Sequence, residues 1–139
     1  MPRDASHTLE RVRGGTLRVG IVENDPWVVD RGSAVGGIEG RFVTDVASAI
    51  GARIEWVREP EFELIRLLHD RKVQLVIGGF DTKVPWAQEV ALTRPYLERD
   101  RKSHVLAAPP GENAWLMFLD QRLEAFKDVA TPTTAGLPQ

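Results

Sequence analysis

Apolar positions along the chain fall into an alternation of short runs and helical stripes. Residues 16–23 (TLRVGIVE) are apolar and β-branched, bounded by Gly14-Gly15 and by Asn24-Asp25-Pro26, and predict a buried strand. Phe42, Val46 and Ile50 recur every fourth residue with Val43 and Ala47 beside them, and Gly51 follows, which predicts a helix with one apolar face. Residues 53–57 alternate as a second strand. Pro60 opens a helix over 61–71 that turns Leu64, Ile65, Leu67 and Leu68 inward. A third strand, 73–79, ends in a double glycine, and Pro85 starts a short helix reaching Glu89. Residues 91–93 and 105–107 are two further short strands. Pro109-Pro110-Gly111 then breaks the chain, Asn113 is a good N-cap, and Trp115, Leu119, Leu123 and Phe126 stripe a last helix. The polar residues 1–15 read as a flexible tether with one short turn, and 128–139, rich in Thr, Pro and Gly, as a disordered tail.

The resulting order, β-α-β-α-β-α-β-β-α, predicts an α/β fold: a mostly parallel five-stranded sheet with helices on both faces. Ligands of such sheets sit in the crevice at the carboxyl ends of the strands. Here that edge is made by residues 23–27, 59–62 and 78–82.

Composition narrows the function classes. With 18 Lys and Arg against 20 Asp and Glu, there is no basic excess for nucleic-acid binding by bulk electrostatics. The chain has no cysteine, which removes disulfides, zinc–thiolate sites and thiol nucleophiles. No apolar run reaches the length of a membrane span, and residues 1–15 lack the apolar segment of a signal peptide. Gly32, Gly36, Gly37 and Gly40 do not form a dinucleotide fingerprint, and no nucleophile elbow occurs. His7, His69 and His104 lack a partner at metal-ligand spacing and read as surface residues. No cofactor, metal or catalytic residue is therefore expected. What remains is an edge carrying aromatics (Trp27, Phe80, Trp86) and carboxylates (Glu23, Asp25, Glu61, Asp81), a combination suited to a cation.

Four segments in order, LRVGIVENDPWVV, GIEGRFVTDVASAIGARIEWV, LIRLLHDRKVQLVIGGFDTK with VPWAQEVALTRPY, and HVLAAPPGENAWLMFLDQRLEAF, resemble the extracytoplasmic solute-binding proteins of amino-acid-type ABC importers (family 3). The resemblance spans about residues 16–127. It implies one Rossmann-like lobe of a type II periplasmic binding protein, an extracytoplasmic setting and an importer permease as partner. In that family the chain leaves the first lobe after the segment matching TRPY, builds a second lobe, and returns through the strand matching HVLAAPPGEN. Here only residues 97–103 lie between, too few for a domain. The second lobe is expected to be absent, by natural deletion or engineered excision, with one lobe formed by 16–96 plus 104–127. The family's site has a small or hydroxyl residue two after the second glycine, Gly79, and a carboxylate-clamping arginine five further on. Those positions are Asp81 and Trp86 here, and the family's aromatic at the start of the second helix aligns with Glu61.

The expected function is a ligand-binding module for a small polar, cationic or amine-bearing solute, weak on its own. The site residues would be Glu23, Trp27, Glu61, Gly79, Phe80, Asp81 and Trp86. Two alternatives differ in class. One is a scaffold lobe that forms a homodimer through aromatics uncovered by loss of the second lobe (Trp27, Phe80, Trp86, Tyr96), or by exchange of residues 105–127. The other is a remnant of a dehydratase-like enzyme, which would need the second lobe to exclude water.

Overall fold

The structure is a computed structural model describing residues 3–136, with side chains as far as Lys127. Its main sheet has five strands: β1 (Thr16–Ile21), β4 (Arg53–Val57), β5 (Leu75–Ile77), β6 (Ala91–Leu92) and β9 (Ala107–Ala108). Their order is β4-β1-β5-β9-β6. β1 runs parallel to β4 and β5, with Val19 opposite both Trp56 and Leu75. β9 is antiparallel to β5 and to β6. Two small ribbons complete the strands, β2 (Val29–Asp30) with β3 (Val35–Gly36) and β7 (Leu97–Arg99) with β8 (Lys102–His104). The helices are α1 (Thr8–Val12), α2 (Gly37–Ile50), α3 (Glu61–His69) and α4 (Asn113–Gly136).

Strand alternation divides the core into two layers. Leu17, Val19, Ile21, Leu75 and Ile77 point to one face, where the apolar stripes of α2 and α4 and Val12 of α1 cover them. Val76 and Ala107 point to the other, under Leu64, Ile65 and Leu68 of α3 and Phe80, Trp86 and Val90. A Cβ at Gly20 would lie 2.8 Å from Leu64, so glycine there admits α3 close to the sheet. The predicted stripe of Trp115, Leu119, Leu123 and Phe126 is buried along its whole length.

Four local expectations change. The short helix at 85–89 is a succession of turns held by bonds from Ala87 to Val84 and Glu89 to Trp86, because burial of the Trp86 ring sets the path of a segment too short to propagate a helix. Residues 3–15 are docked instead of trailing as a tether. Asp4 bonds the amides of Leu9 and Trp115, and Val12 is buried against the core. That same Asp4 carboxylate caps the first turn of α4 from a distant part of the chain, whereas Asn113, expected as the cap, is the first helical residue. Helix α4 continues to Gly136 through most of the stretch expected as a tail, and 137–139 lie outside the described residues.

The seven residues between the matching segments make the β7–β8 hairpin. Asp100 (φ 53°) and Arg101 (φ 65°) are both left-handed, the signature of a two-residue turn whose twist matches the strands.

Candidate functional site

The carboxyl edge of the sheet is organised around Gly79 and the residues that converge on its peptide. Gly79 follows β5 with φ 67°, and a Cβ there would meet Asn24 Nδ2 at 2.6 Å and the Trp27 ring at 2.7 Å. Glycine is thus needed both for the backbone conformation and for the indole lying against it. Replacing it, Gly79→Ala, is expected to cost about 2–3 kcal/mol, read as a lower denaturant midpoint at unchanged slope.

Trp27 is held by the turn 24–28, whose carbonyls at Pro26 and Trp27 accept the first amides of α2, from Ile38 and Glu39. Its ring stacks on the His104 imidazole with centroids 3.7 Å apart and meets the Tyr96 ring edge-on at 6.5 Å. His104 comes from the hairpin. Its Nδ1 lies 3.2 Å from the Gly79 carbonyl, so that nitrogen carries the proton. Burial lowers the imidazole's pKa, against smaller opposing effects of the Gly79 carbonyl and Asp81. His104 is therefore a buried, neutral residue, correcting its reading as a surface histidine. An alternating strand gives no sign that its partner is the face of a tryptophan.

Glu39 lies behind this group, 1% exposed. Its Oε1 accepts the amides of Gly78 and Gly79 at 3.1 and 3.0 Å, and its Oε2 accepts the Tyr96 hydroxyl at 2.6 Å. Burial raises its pKa to about 7, although all three donors pull it down. Burial and the adjacent carboxylate push the Tyr96 phenol up. Glu39 did not stand out in the sequence, and Tyr96 did so only as one of the aromatics offered as a dimer surface. The signal that could have found them is a carboxylate in the first turn of an α2 that abuts a double glycine.

The remaining expected residues separate into two groups. Phe80 and Trp86 pack edge to face at 4.8 Å and are 6% and 8% exposed, so they offer core surface and little else. Glu61, exposed at the start of α3, accepts the Trp86 indole N–H at 2.8 Å. The two positions where the resembled family carries an aromatic and an arginine are thus joined to each other. Glu23 and Asp25 are exposed on the turn after β1, and Asp81 is half-buried after β5. Asp81 Oδ1 accepts the Lys83 amide at 2.7 Å. Phe62, beside Glu61, is 76% exposed and is the large apolar side chain of this edge that faces solvent. Across the turn, Arg58 holds Asp30 with two hydrogen bonds of 2.7 and 2.9 Å, which lowers the carboxylate's pKa to about 2.

The aromatics expected to be uncovered by loss of a second lobe are all buried: Trp27, Phe80, Trp86 and Tyr96 are between 4% and 8% exposed. Stacking on His104, the bond to Glu61 and the hairpin seal them, which removes the aromatic patch offered as a dimer surface.

Scans of protein-family models and of curated proteins found no match. Solved structures do match. Domain 1 of TmArgBP, as the arginine-bound Phe57Trp mutant, superposes with a TM-score of 0.72 at 20% identity, covering 88% of this chain and 97% of that one. An ancestral cationic amino acid solute-binding protein matches at 26% identity and a TM-score of 0.56, covering 65% of this chain and 41% of that one. A protein of Wolinella succinogenes DSM 1740 described as a binding component of an ABC transporter, complexed with lysine, matches at 26% and 0.53, with coverage of 60% and 36%. Sheet order, crevice and likenesses together define a single lobe of the periplasmic-binding-protein fold. Its structural kin are the amino-acid solute-binding proteins of ABC transporters, and the chain spans about two fifths of the length of the latter two. An ancestral cyclohexadienyl dehydratase shares the fold at 22% identity. Among the described residues, no helix is long and apolar enough to cross a membrane and no group of His, Asp or Glu is placed to hold a metal.

Proposed function

We propose that this lobe binds a small cationic, amine-bearing solute at the carboxyl edge of its sheet, without catalysis. One observation carries the reading. Glu23, Asp25, Glu61 and Asp81 stand on three segments at that edge, and none of them forms an ion pair among the described residues. A carboxylate without an ionic partner is available to form a charge-assisted hydrogen bond with a cationic group of a ligand. Gly79 is half-buried at the same edge, and the buried Trp27, Phe80 and Trp86 support that edge from the core. Relatives at 26% identity are named for cationic amino acids, arginine and lysine. With Trp86 at the position of the family's arginine, an amino acid's carboxylate is not held in the family's way. One open lobe buries less of a ligand than a closed pair, so affinity is weak. In this reading the protein works outside the cytoplasm beside an importer permease.

Titration calorimetry with arginine, lysine, agmatine, glutamine and glutamate tests the proposal. Cationic members are expected to bind and glutamate to give no heat. Glu61→Gln with Asp81→Asn should weaken the cations by about tenfold or more. Tight binding of glutamate would overturn the reading.

A further inference from the structure

The hairpin that occupies the place of a second lobe is dense in charge: Glu98, Arg99, Asp100, Arg101 and Lys102 follow one another. Its two-residue turn fixes where the last three of these lie. They face the turn after β5 across a cavity of about 310 Å³, whose charged lining is Asp81, Lys83, Asp100, Arg101 and Lys102. That is enough room for a single small molecule. Three cations and two carboxylates thus surround one space, yet among the described residues none of the five is in an ion pair. Asp81 engages one oxygen with the Lys83 amide, leaving the other free. Unpaired charges of both signs around a common cavity complement a molecule that itself carries both.

We propose that the hairpin supplies the missing wall of the binding site. Lys83, Arg101 and Lys102 receive the carboxylate of a zwitterionic solute, and Asp81 and Asp100 receive its ammonium group. Arg101 offers a planar fork of donors suited to a carboxylate, and the lysines add point charge. The carboxylate function missing at Trp86 is thereby moved to the hairpin. This inference rests on the reading of the lobe as a binder of amine-bearing solutes and adds the group that holds the solute's other end.

The test compares arginine with agmatine, which has the same guanidinium and amine but no carboxylate, on the full chain. Arg101→Gln with Lys102→Gln changes two exposed side chains and leaves the backbone ladder of the hairpin in place, which circular dichroism and a thermal melt verify. Wild type is expected to bind arginine at least about tenfold more tightly than agmatine. The double variant should bring arginine down to the level of agmatine, with agmatine unchanged or tighter because two repelling cations are gone. If the variant binds arginine as wild type does, or wild type does not distinguish the two, the hairpin site is wrong while the cation-binding reading stands. If neither ligand binds wild type, both are wrong.

Discussion

As the pH rises from about 4.5 to a little above 7, Glu39 is expected to withdraw about 3 kcal/mol from the stability of the fold, and Glu39→Gln is expected to remove that loss. The Glu39 carboxyl is raised from an ordinary 4.5 to about 7 by burial. In the native state it therefore keeps its proton where the unfolded chain has lost it. A raised acid contributes stability that is full below its unfolded value and is lost as the pH rises through its folded one. The decline begins near pH 4.5 and is complete a little above 7, at about 1.4 kcal/mol for each pH unit. His104 acts with the opposite sign. Burial holds its imidazole neutral, so its contribution is present above its ordinary 6.5 and lost as the pH falls. Comparison of wild type with Glu39→Gln cancels His104 and isolates Glu39. The glutamine amide can accept from Gly78 and Gly79 through its oxygen and donate to Tyr96 through its nitrogen, so the contacts survive while the titration does not. Glu39→Ala instead leaves three buried donors unpaired and should cost about 3–5 kcal/mol at any pH. Urea unfolding from pH 5 to pH 8 decides the matter. Equal slopes with pH for wild type and Glu39→Gln would rule out Glu39 as the source.

The same cluster explains what was legible in the sequence. Periodicity placed the five main strands, three of the helices and the crevice edge, since each depends on neighbours within a few positions. The apolar stripe from Trp115 to Phe126 is of that kind. The centre of the site depends on groups far apart in sequence. Glu39 meets Gly79 from 40 positions away and Tyr96 from 57. His104 reaches Trp27 only because the hairpin turns it back onto the sheet. A glutamate in a first helical turn reads as a solvated partner of the helix dipole, and a histidine in a short strand reads as surface. Only tertiary contact makes them buried.

Trp86 shows the converse. Its position was marked by the absence of the expected arginine, and the structure turns that absence into an internal bond to Glu61. A carboxylate paired with an indole is neutralised less than one paired with a guanidinium. The bond also fixes the orientation of Glu61 at the crevice edge.

Glu112→Ala is expected to destabilise the fold by about 3–5 kcal/mol without altering the affinity of the carboxyl edge for a cation. Glu112 is 1% exposed and precedes α4. Burial disfavours its charge, but donors more than offset this and hold its pKa below the usual range. They are the Thr8 hydroxyl at 2.7 Å, Arg71 Nε at 3.0 Å and the amides of Ser6 and Thr8. One carboxylate thus ties the start of α1 and the turn after α3 to the start of α4. Removing it strands a half-buried guanidinium, a buried hydroxyl and two amides, and the penalty for breaking such a pair greatly exceeds the net worth of the pair itself. Arg71→Ala should cost less, because the carboxylate keeps Thr8 and the amides. The double variant should then be less destabilised than the two single losses added together. The clasp sits where Trp115 Nε1 donates to the Gln74 carbonyl just before β5, at the amino edge of the sheet. The ligand crevice is at the opposite edge, so below the unfolding transition calorimetry should return wild-type cation affinity. A fall in affinity at a temperature where circular dichroism still reports a folded lobe would show that the two edges are coupled.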